Sequence, residues 1–329
     1  MRAVVITRPG GPEVLEIRDV PAPVAAPDEV LVRIHAAGLN RADLLQREGK
    51  YPAPPGVPPD IPGMEFAGEI AATGARVRQW NPGQRVLGLL GGGGYAEFCV
   101  AHERAIAEVP DSLDWTQAAA VPEAFITAHD ALITQAGLRS GERVLIHAAA
   151  SGVGLAAAQL VAALGAFPYG TTRSSEKAAR AAEHGFKACV ALESPATLAD
   201  QTRAWLGEDR GFDVVIDLVG GPYVAASLQV MAPKGRLVLV GSLAGRKLEL
   251  DLGRIMSQRL TIIGTVLRAR PLEEKIAASQ AFAREVVPLL ASGRVQPVLD
   301  EVFPVEQVQA AHARLGSNRT FGKVVLRVG

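Results

Sequence analysis

The chain has 329 residues, 48% of them hydrophobic, and its 34 basic and 34 acidic side chains cancel. A net charge of zero excludes a global field that would draw it to nucleic acid or anionic membrane, and this apolar content excludes disorder while leaving material for two cores. The partner expected is a small molecule.

From Met1 to about Glu123 the pattern is short β-like runs bounded by turn signals: Ala3–Thr7, Val14–Val20, Glu29–Ala36, Met64–Ala72, Gln84–Leu89 and Tyr95–Ala101. Such a series predicts a small barrel. The opening Met1-Arg-Ala-Val-Val-Ile reads as strand and turn rather than a secretory signal, and no run of about 18 apolar residues is present. Cys99 and Cys189 sit singly in apolar strand-like runs, which predicts buried free thiols and a cytoplasmic location. Tyr51-Pro-Ala-Pro-Pro-Gly-Val-Pro-Pro-Asp60 is too rich in proline for helix and predicts an extended connection. Trp115 to Leu132 then reads as helix, and strands alternate with helices until about Val266.

Within that alternation, Arg143 to Gly165 carries the strongest signal. Val144 to Ile146 form an apolar run, and Leu155, Gln159, Leu160 and Leu164 recur at helical spacing, so the period changes at Ser151–Gly154. The first amides of a helix lack internal partners and its dipole favours negative charge, so a pyrophosphate is the expected ligand of Ser151, Gly152, Val153 and Gly154. Measured against G-x-G-x-x-G, the chain has Ala149 and Ser151 at the first two glycine positions, and only Gly154 matches. An alanine-rich helix after a core strand in any α/β protein is the alternative reading of the loop alone.

The next strand, Phe167 to Thr172, ends where the adenosine ribose of a dinucleotide is read, about 20 residues beyond the glycine turn. No acid stands there. Thr171-Thr172-Arg173-Ser174-Ser175-Glu176-Lys177 offers cations and hydroxyls, which favours a 2′-phosphate on Arg173, Ser174 and Lys177, hence NADPH. A solvated helix start is the alternative, but cations at an N-terminus oppose the helix dipole and are better explained by an anion. Phe212–Asp217, Gly235–Gly241 and Leu260–Val266 complete the expected parallel sheet, covered on both faces. A helix from Leu272 to about Leu290 and a strand from Gly322 to Arg327 return to the first domain. The expected division is therefore 1–124 with 267–329, and 125–266.

Six segments in chain order carry a resemblance: Gly38-Leu-Asn-Arg-Ala-Asp43, Gly63-Met-Glu-Phe-Ala-Gly68, Gly93-Gly-Tyr-Ala-Glu-Phe98, Ala118-Ala-Ala-Val-Pro-Glu-Ala-Phe-Ile-Thr127, His147-Ala-Ala-Ala-Ser-Gly-Val-Gly154 and Phe321-Gly-Lys-Val-Val-Leu326. Over essentially its full length the chain resembles the medium-chain dehydrogenase/reductase superfamily and, within it, the zinc-free NADPH quinone oxidoreductases. Asn40-Arg-Ala-Asp-Leu-Leu-Gln46, the Tyr51 loop, Pro122-Glu-Ala124 and Leu267-Arg-Ala-Arg270 resemble the p53-inducible protein 3 subfamily. The resemblance implies an α/β protein with a GroES-like β-barrel catalytic domain and a Rossmann, doubly wound parallel-sheet domain, with cofactor and substrate in the cleft between them.

It further implies NADPH-dependent quinone reduction. Zinc alcohol dehydrogenases of the superfamily need Cys where this chain has Gly38-Leu-Asn40, His where it has Met64, and four clustered Cys, so no metal is expected. By the same resemblance Tyr51 hydrogen-bonds a quinone oxygen, Asn40 lies near the nicotinamide, and Thr127 lies beneath its ribose or carboxamide. Ordinary readings stand beside these: a packing tyrosine, a helix N-cap and a helix hydroxyl. Lys323 is expected to reach the phosphates, and the backbone at Gly241, Ser242, Leu243, Val266, Leu267 and Arg268 to flank the nicotinamide half. Glu65, His147 and His129 are read as structural. A homodimer through the strand near Leu260–Val266 is implied by analogy. The rival readings are an NADPH enoyl reductase and an RNA-binding or structural dinucleotide sensor, the latter disfavoured by charge and the lack of basic aromatic stripes.

Overall fold

The computed structural model describes residues 1–206 and 211–329. The chain divides into two units, Met1–Ile126 with Leu267–Gly329, and Thr127–Val266. The first crossing thus falls after residue 126, where the sequence pattern places it after 124. In the first unit the strands are β1 (Arg2–Ile6), β2 (Leu15–Asp19), β3 (Glu29–Gly38), β4 (Glu65–Thr73), β5 (Arg85–Leu89), β6 (Phe98–His102) and β7 (Ile106–Glu108). The second unit holds β8 (Arg143–Ile146), β9 (Phe167–Thr172), β10 (Ala188–Ala191), β11 (Phe212–Asp217), β12 (Met231–Leu239) and β13 (Thr261–Gly264). The chain then gives β14 (Leu299–Pro304) and β15 (Lys323–Arg327) to the first unit.

In the first unit β1 and β2 form a hairpin pair, and the main sheet runs β14-β15-β3-β4-β5-β7 with β6 also on β3. Period-two alternation makes β3 a core strand: Val30, Val32 and Ile34 point inward onto Phe66, Ile70 and Val86. A second cluster joins Leu39, Tyr95, Val324 and Leu326 to Val305, Val308 and Ala311. The last three belong to a turn and to the helix Val308–Gly316, which follow β14; the sequence pattern anticipated neither that helix nor β14. The expected helix from Leu272 is also shorter, ending at Glu285 before a separate turn of helix, Val287–Ala291, with Pro288 near its start.

The second unit is one sheet in the order β10-β9-β8-β11-β12-β13, and every pairing in it is parallel. Its centre is fully buried, with Val144, Leu145, Ile146, Val214, Val215 and Ile216 at 0% exposure, as near-continuous apolar strands under two helical layers require. Strand order reverses between β8 and β11, so the turn after β8 lies at the topological switch point, where such sheets bind ligands. β12 starts four residues earlier than the apolar pattern indicates, because Pro233 and Lys234 read as a turn. Lys234 does take a left-handed φ of 64°, and the register jumps from Phe212–Met231 to Val214–Arg236 across this irregularity.

The expected continuous helix from Trp115 is interrupted. Trp115–Ala119 is a capped helix started by Asp114, which accepts from the amides of Thr116 and Gln117; Pro122, lacking an N–H, then opens wide-turn helix over Pro122–Ile126. Thr127–His129 is α-helical, and Asp130–Gln135 is again wide-turn helix.

Candidate active site

In the second unit the phosphate-binding turn is built as a tight cradle. Ala148 is held at φ 53°, an uncommon conformation for a residue with a side chain, and it turns the chain out of β8. A Cβ at Gly154 would lie 2.6 Å from the Ala148 carbonyl oxygen and 2.8 Å from that of Ala149, so only glycine allows the helix Gly152–Ala163 to start this close. Ser151 caps that helix, its hydroxyl accepting from Gly154 N at 3.1 Å, while Leu155 N donates to Ser151 O. The amides of Gly152 and Val153 are left as first-turn donors with no partner inside the helix. Cradle and donors together fit a pyrophosphate.

At the end of β9, Ser174 caps the helix Ser175–Ala182 by accepting from Lys177 N at 3.3 Å, and the Thr172 hydroxyl donates to Ser174 O at 2.8 Å. Arg173 is exposed beside them. A cavity of about 420 Å³ opens where β11, β12 and β13 end, and Gly241, Ser242 and Val266 are among its lining residues with Gly220, Thr265 and Arg246. The structure thus brings three of the expected nicotinamide-side positions together. Leu243 lies close by and is 59% exposed, whereas Leu267 and Arg268 are buried in the first unit. Thr127 is buried at the start of the second unit. His147 is a structural bridge: its ring nitrogens each lie 2.8 Å from a hydroxyl, of Thr171 and of Ser227, and burial pushes its pKa down to about 3, so it is neutral.

In the first unit Lys323, Glu65 and Asp43 belong to one buried network around Asn40, and it changes the reading of Lys323. The Lys323 ammonium donates to Leu39 O at 2.7 Å, Asn40 Oδ1 at 2.6 Å and Glu65 Oε1 at 2.5 Å. An ammonium has three donors, and here all are spent inside the unit, so Lys323 is withdrawn from the phosphate-binding set. The cause is Glu65, a carboxylate at 0% exposure that requires a cation. Glu65 also accepts from Asn40 Nδ2 at 2.8 Å and from Glu123 N at 2.7 Å, which agrees with a structural ion pair. Asn40 therefore has both ends of its amide engaged, besides preceding the helix Arg41–Arg47 as its N-cap residue.

Asp43, on the first turn of that helix, accepts from Asn40 N at 2.8 Å, Gly63 N at 3.2 Å and Tyr95 Oη at 2.9 Å. Burial still wins over these bonds and raises its pKa from 3.8 to about 6. The folded protein then binds a proton that the unfolded chain has released between about pH 4 and pH 6. The stability linked to Asp43 is present below pH 4 and lost as pH rises through 6, a change of about 3 kcal/mol at 1.4 kcal/mol per unit. Urea unfolding of the wild type and of Asp43→Asn across this window should show this loss of stability in the wild type alone; parallel pH profiles would refute it.

Tyr51 is half-buried at the head of the proline-rich loop, and among the described residues its hydroxyl has no partner. Burial raises its pKa, so the phenol stays protonated near neutral pH and can donate. Sequence reasoning valued Arg268 for its backbone, but its side chain is the larger feature: the guanidinium lies 4.8 Å from the Tyr51 ring centroid and bonds Gly91 O and Gln46. The Leu267-Arg-Ala-Arg270 segment was the available signal. Asp43, Gln46 and Tyr95 carried none beyond lying in matched segments.

A parallel sheet in this order, with a turn at its switch point whose free amides fit an anion, defines a dinucleotide-binding type of fold, here joined to a β-rich unit of its own. Residues 26–111 match the alcohol dehydrogenase GroES-like domain, and residues 185–326 match the zinc-binding dehydrogenase family. The human quinone oxidoreductase is 33% identical over 99% of this chain and 97% of its own length. A quinone oxidoreductase of Pseudomonas aeruginosa is 38% identical, with 96% of each chain covered. Among solved structures, the quinone oxidoreductase of Thermus thermophilus, determined alone and with NADPH, has a TM-score of 0.83 at 34% identity, and both chains are covered fully. The CurK enoyl reductase has a TM-score of 0.86 at 27% identity, covering 100% of this chain and 99% of its own. The chain belongs to the quinone oxidoreductases of the medium-chain dehydrogenase/reductase superfamily, and it is an oxidoreductase enzyme.

Proposed function

We propose that the protein reduces quinones at the expense of NADPH without a metal ion. The observation that carries the cofactor half is the cradle at Ala148–Gly154 followed, one strand later, by Arg173, Ser174 and Lys177 in place of an acid. Ser151 to Gly154 hold the pyrophosphate, the cations and Ser174 hydroxyl hold the 2′-phosphate, and the backbone at Gly241, Ser242 and Val266 borders the nicotinamide half. The cofactor, when bound, supplies a hydride. Two electrons and one proton arrive that way, and the second proton of the quinol comes from water or Tyr51. Tyr51 orients the quinone oxygen, and orientation of reacting partners recovers about 7–11 kcal/mol of barrier.

The zinc-independent reading rests on chemistry in the first unit. Gly38 begins the Gly38-Leu-Asn40 segment that stands for the zinc enzymes' cysteine, and a side chain there would collide with the Glu65 carboxylate and the Ala119 carbonyl. Where a metal would gather charge, the Lys323–Glu65 pair neutralises itself. Without a Lewis acid, reduction of an already electrophilic acceptor is the feasible chemistry. Likeness to an enoyl reductase keeps activated double bonds as the second reading.

A panel of ortho-quinones, para-quinones, enones and enoyl thioesters, each with NADPH and NADH, tests both. NADPH oxidation should be fastest with a quinone. Turnover confined to enoyl thioesters would transfer the assignment to the second reading, and no turnover with any electrophile would favour a sensor.

The protein is further proposed to be a cytoplasmic homodimer. Both cysteines are unpaired, Cys99 buried and Cys189 half-buried, and no helix among the described residues is long and apolar enough to cross a membrane. β13 ends its sheet, and Leu252 and Met256 on the helix Leu252–Gln258 that precedes it are 64% and 72% exposed. A single-chain mass by light scattering would overturn the dimer.

A further inference from the structure

We infer that Arg268 and Gln46 form a clamp that closes the Tyr51–Pro59 loop at both ends and so positions the Tyr51 phenol for the reaction. The inference rests on the reading of Tyr51 as the residue that meets the quinone. At the head of the loop, the planar Arg268 guanidinium lies against the Tyr51 ring, 4.8 Å from its centroid, and Nη1 reaches the Tyr51 carbonyl at 3.5 Å. At the tail, Gln46 Nε2 donates to Pro59 O at 3.1 Å. One bond joins the two ends: Arg268 Nη2 donates to Gln46 Oε1 at 2.5 Å. Both side chains are buried, Arg268 at 5% exposure and Gln46 at 6%.

The loop also needs a floor. Arg268 Nε donates to Gly91 O at 2.8 Å, and a Cβ at Gly91 would lie 3.0 Å from both Pro54 Cγ and Val57 Cγ1. Pro54 and Val57 thus rest on a bare glycine backbone that the same arginine fixes. Only a guanidinium serves here, because its fork addresses several acceptors in one plane while its face stacks on an aromatic ring; an ammonium is a point charge. The loop has no regular structure of its own, so without the clamp the phenol would be spread over many orientations, and a positioning error of about 1 Å costs on the order of a hundredfold in rate.

The test is a double-mutant cycle on kcat with the best quinone. Tyr51→Phe should slow turnover about tenfold. Arg268→Met should slow it by about as much and no more, and Arg268→Lys should not restore it, while NADPH affinity measured without quinone stays unchanged. In the Tyr51→Phe background, Arg268→Met should have little further effect. In the cofactor-free protein, hydrogen–deuterium exchange at the amides of Tyr51, Ala53, Gly56 and Val57 should be about tenfold faster in Arg268→Met than in the wild type. Gln46→Leu, which removes the tail bond and the bridge but leaves the guanidinium in place, should reproduce the loss if Arg268→Met does not fold. Multiplicative losses in the double variant, or full activity in Arg268→Lys, would overturn the clamp alone. Wild-type turnover in Tyr51→Phe would overturn the role of Tyr51 and the clamp with it.

Discussion

Lys323→Met is expected to lower the unfolding free energy by about 3–5 kcal/mol, the cost of removing one partner from a buried ion pair, while leaving NADPH affinity within about twofold. Glu65 is fully buried and loses its cation; Asn40 Oδ1 and Leu39 O lose a donor in the same step. A buried carboxylate cannot recover its solvation by a small adjustment, so the loss falls on the whole unit and not on one contact. A double variant, Lys323→Met with Glu65→Leu, should regain part of the stability, because an apolar pair of similar volume leaves no charge to desolvate while Asn40 Nδ2 and Glu123 N lose their acceptor. Urea unfolding measures the first quantity, and fluorescence titration the second. A tenfold loss of NADPH affinity at unchanged stability would restore Lys323 to the phosphates.

What sequence conveys about this protein divides along physical lines. The switch from period two to period 3.6 at Ser151–Gly154 is a local backbone property, and the structure has its cap and its glycine at those positions. The alternation along β3 and the apolar β8 and β11 are likewise local. Long-range pairing is not. Lys323 finds its partner Glu65 across 258 positions and Arg268 finds Gln46 across 222, and neither spacing has any pattern in the chain. Sequence therefore offers the cofactor as the anion for a lysine near the end of the chain, and the fold supplies Glu65 inside the protein. β12 begins earlier than its apolar pattern indicates for a different reason: Pro233-Lys-Gly235 looks like a turn in the sequence, and the strand absorbs it as an irregularity.

The cofactor preference gives the other large expected effect. Arg173→Asp should lower the ratio of NADPH to NADH affinity by about a hundredfold or more. One charged hydrogen bond contributes roughly 1.5–3 kcal/mol, a ten- to hundredfold preference, and reversal of the charge adds repulsion of the 2′-phosphate while offering NADH a carboxylate for its ribose hydroxyls. Arg173 is exposed and Ser174 already caps its helix, so the substitution leaves the fold intact. Exposure also means screening: the wild-type preference should shrink as salt is raised from about 0.01 to 0.5 M, since the Debye length contracts from about 30 Å to a few ångströms. The pyrophosphate contacts at Gly152 and Val153 are common to both cofactors, so salt and mutation should act on the ratio far more than on NADH binding itself. An unchanged ratio in Arg173→Asp would move the phosphate site elsewhere, and a lowered ratio insensitive to salt would mean that Arg173 acts through the shape of the site and not through its charge.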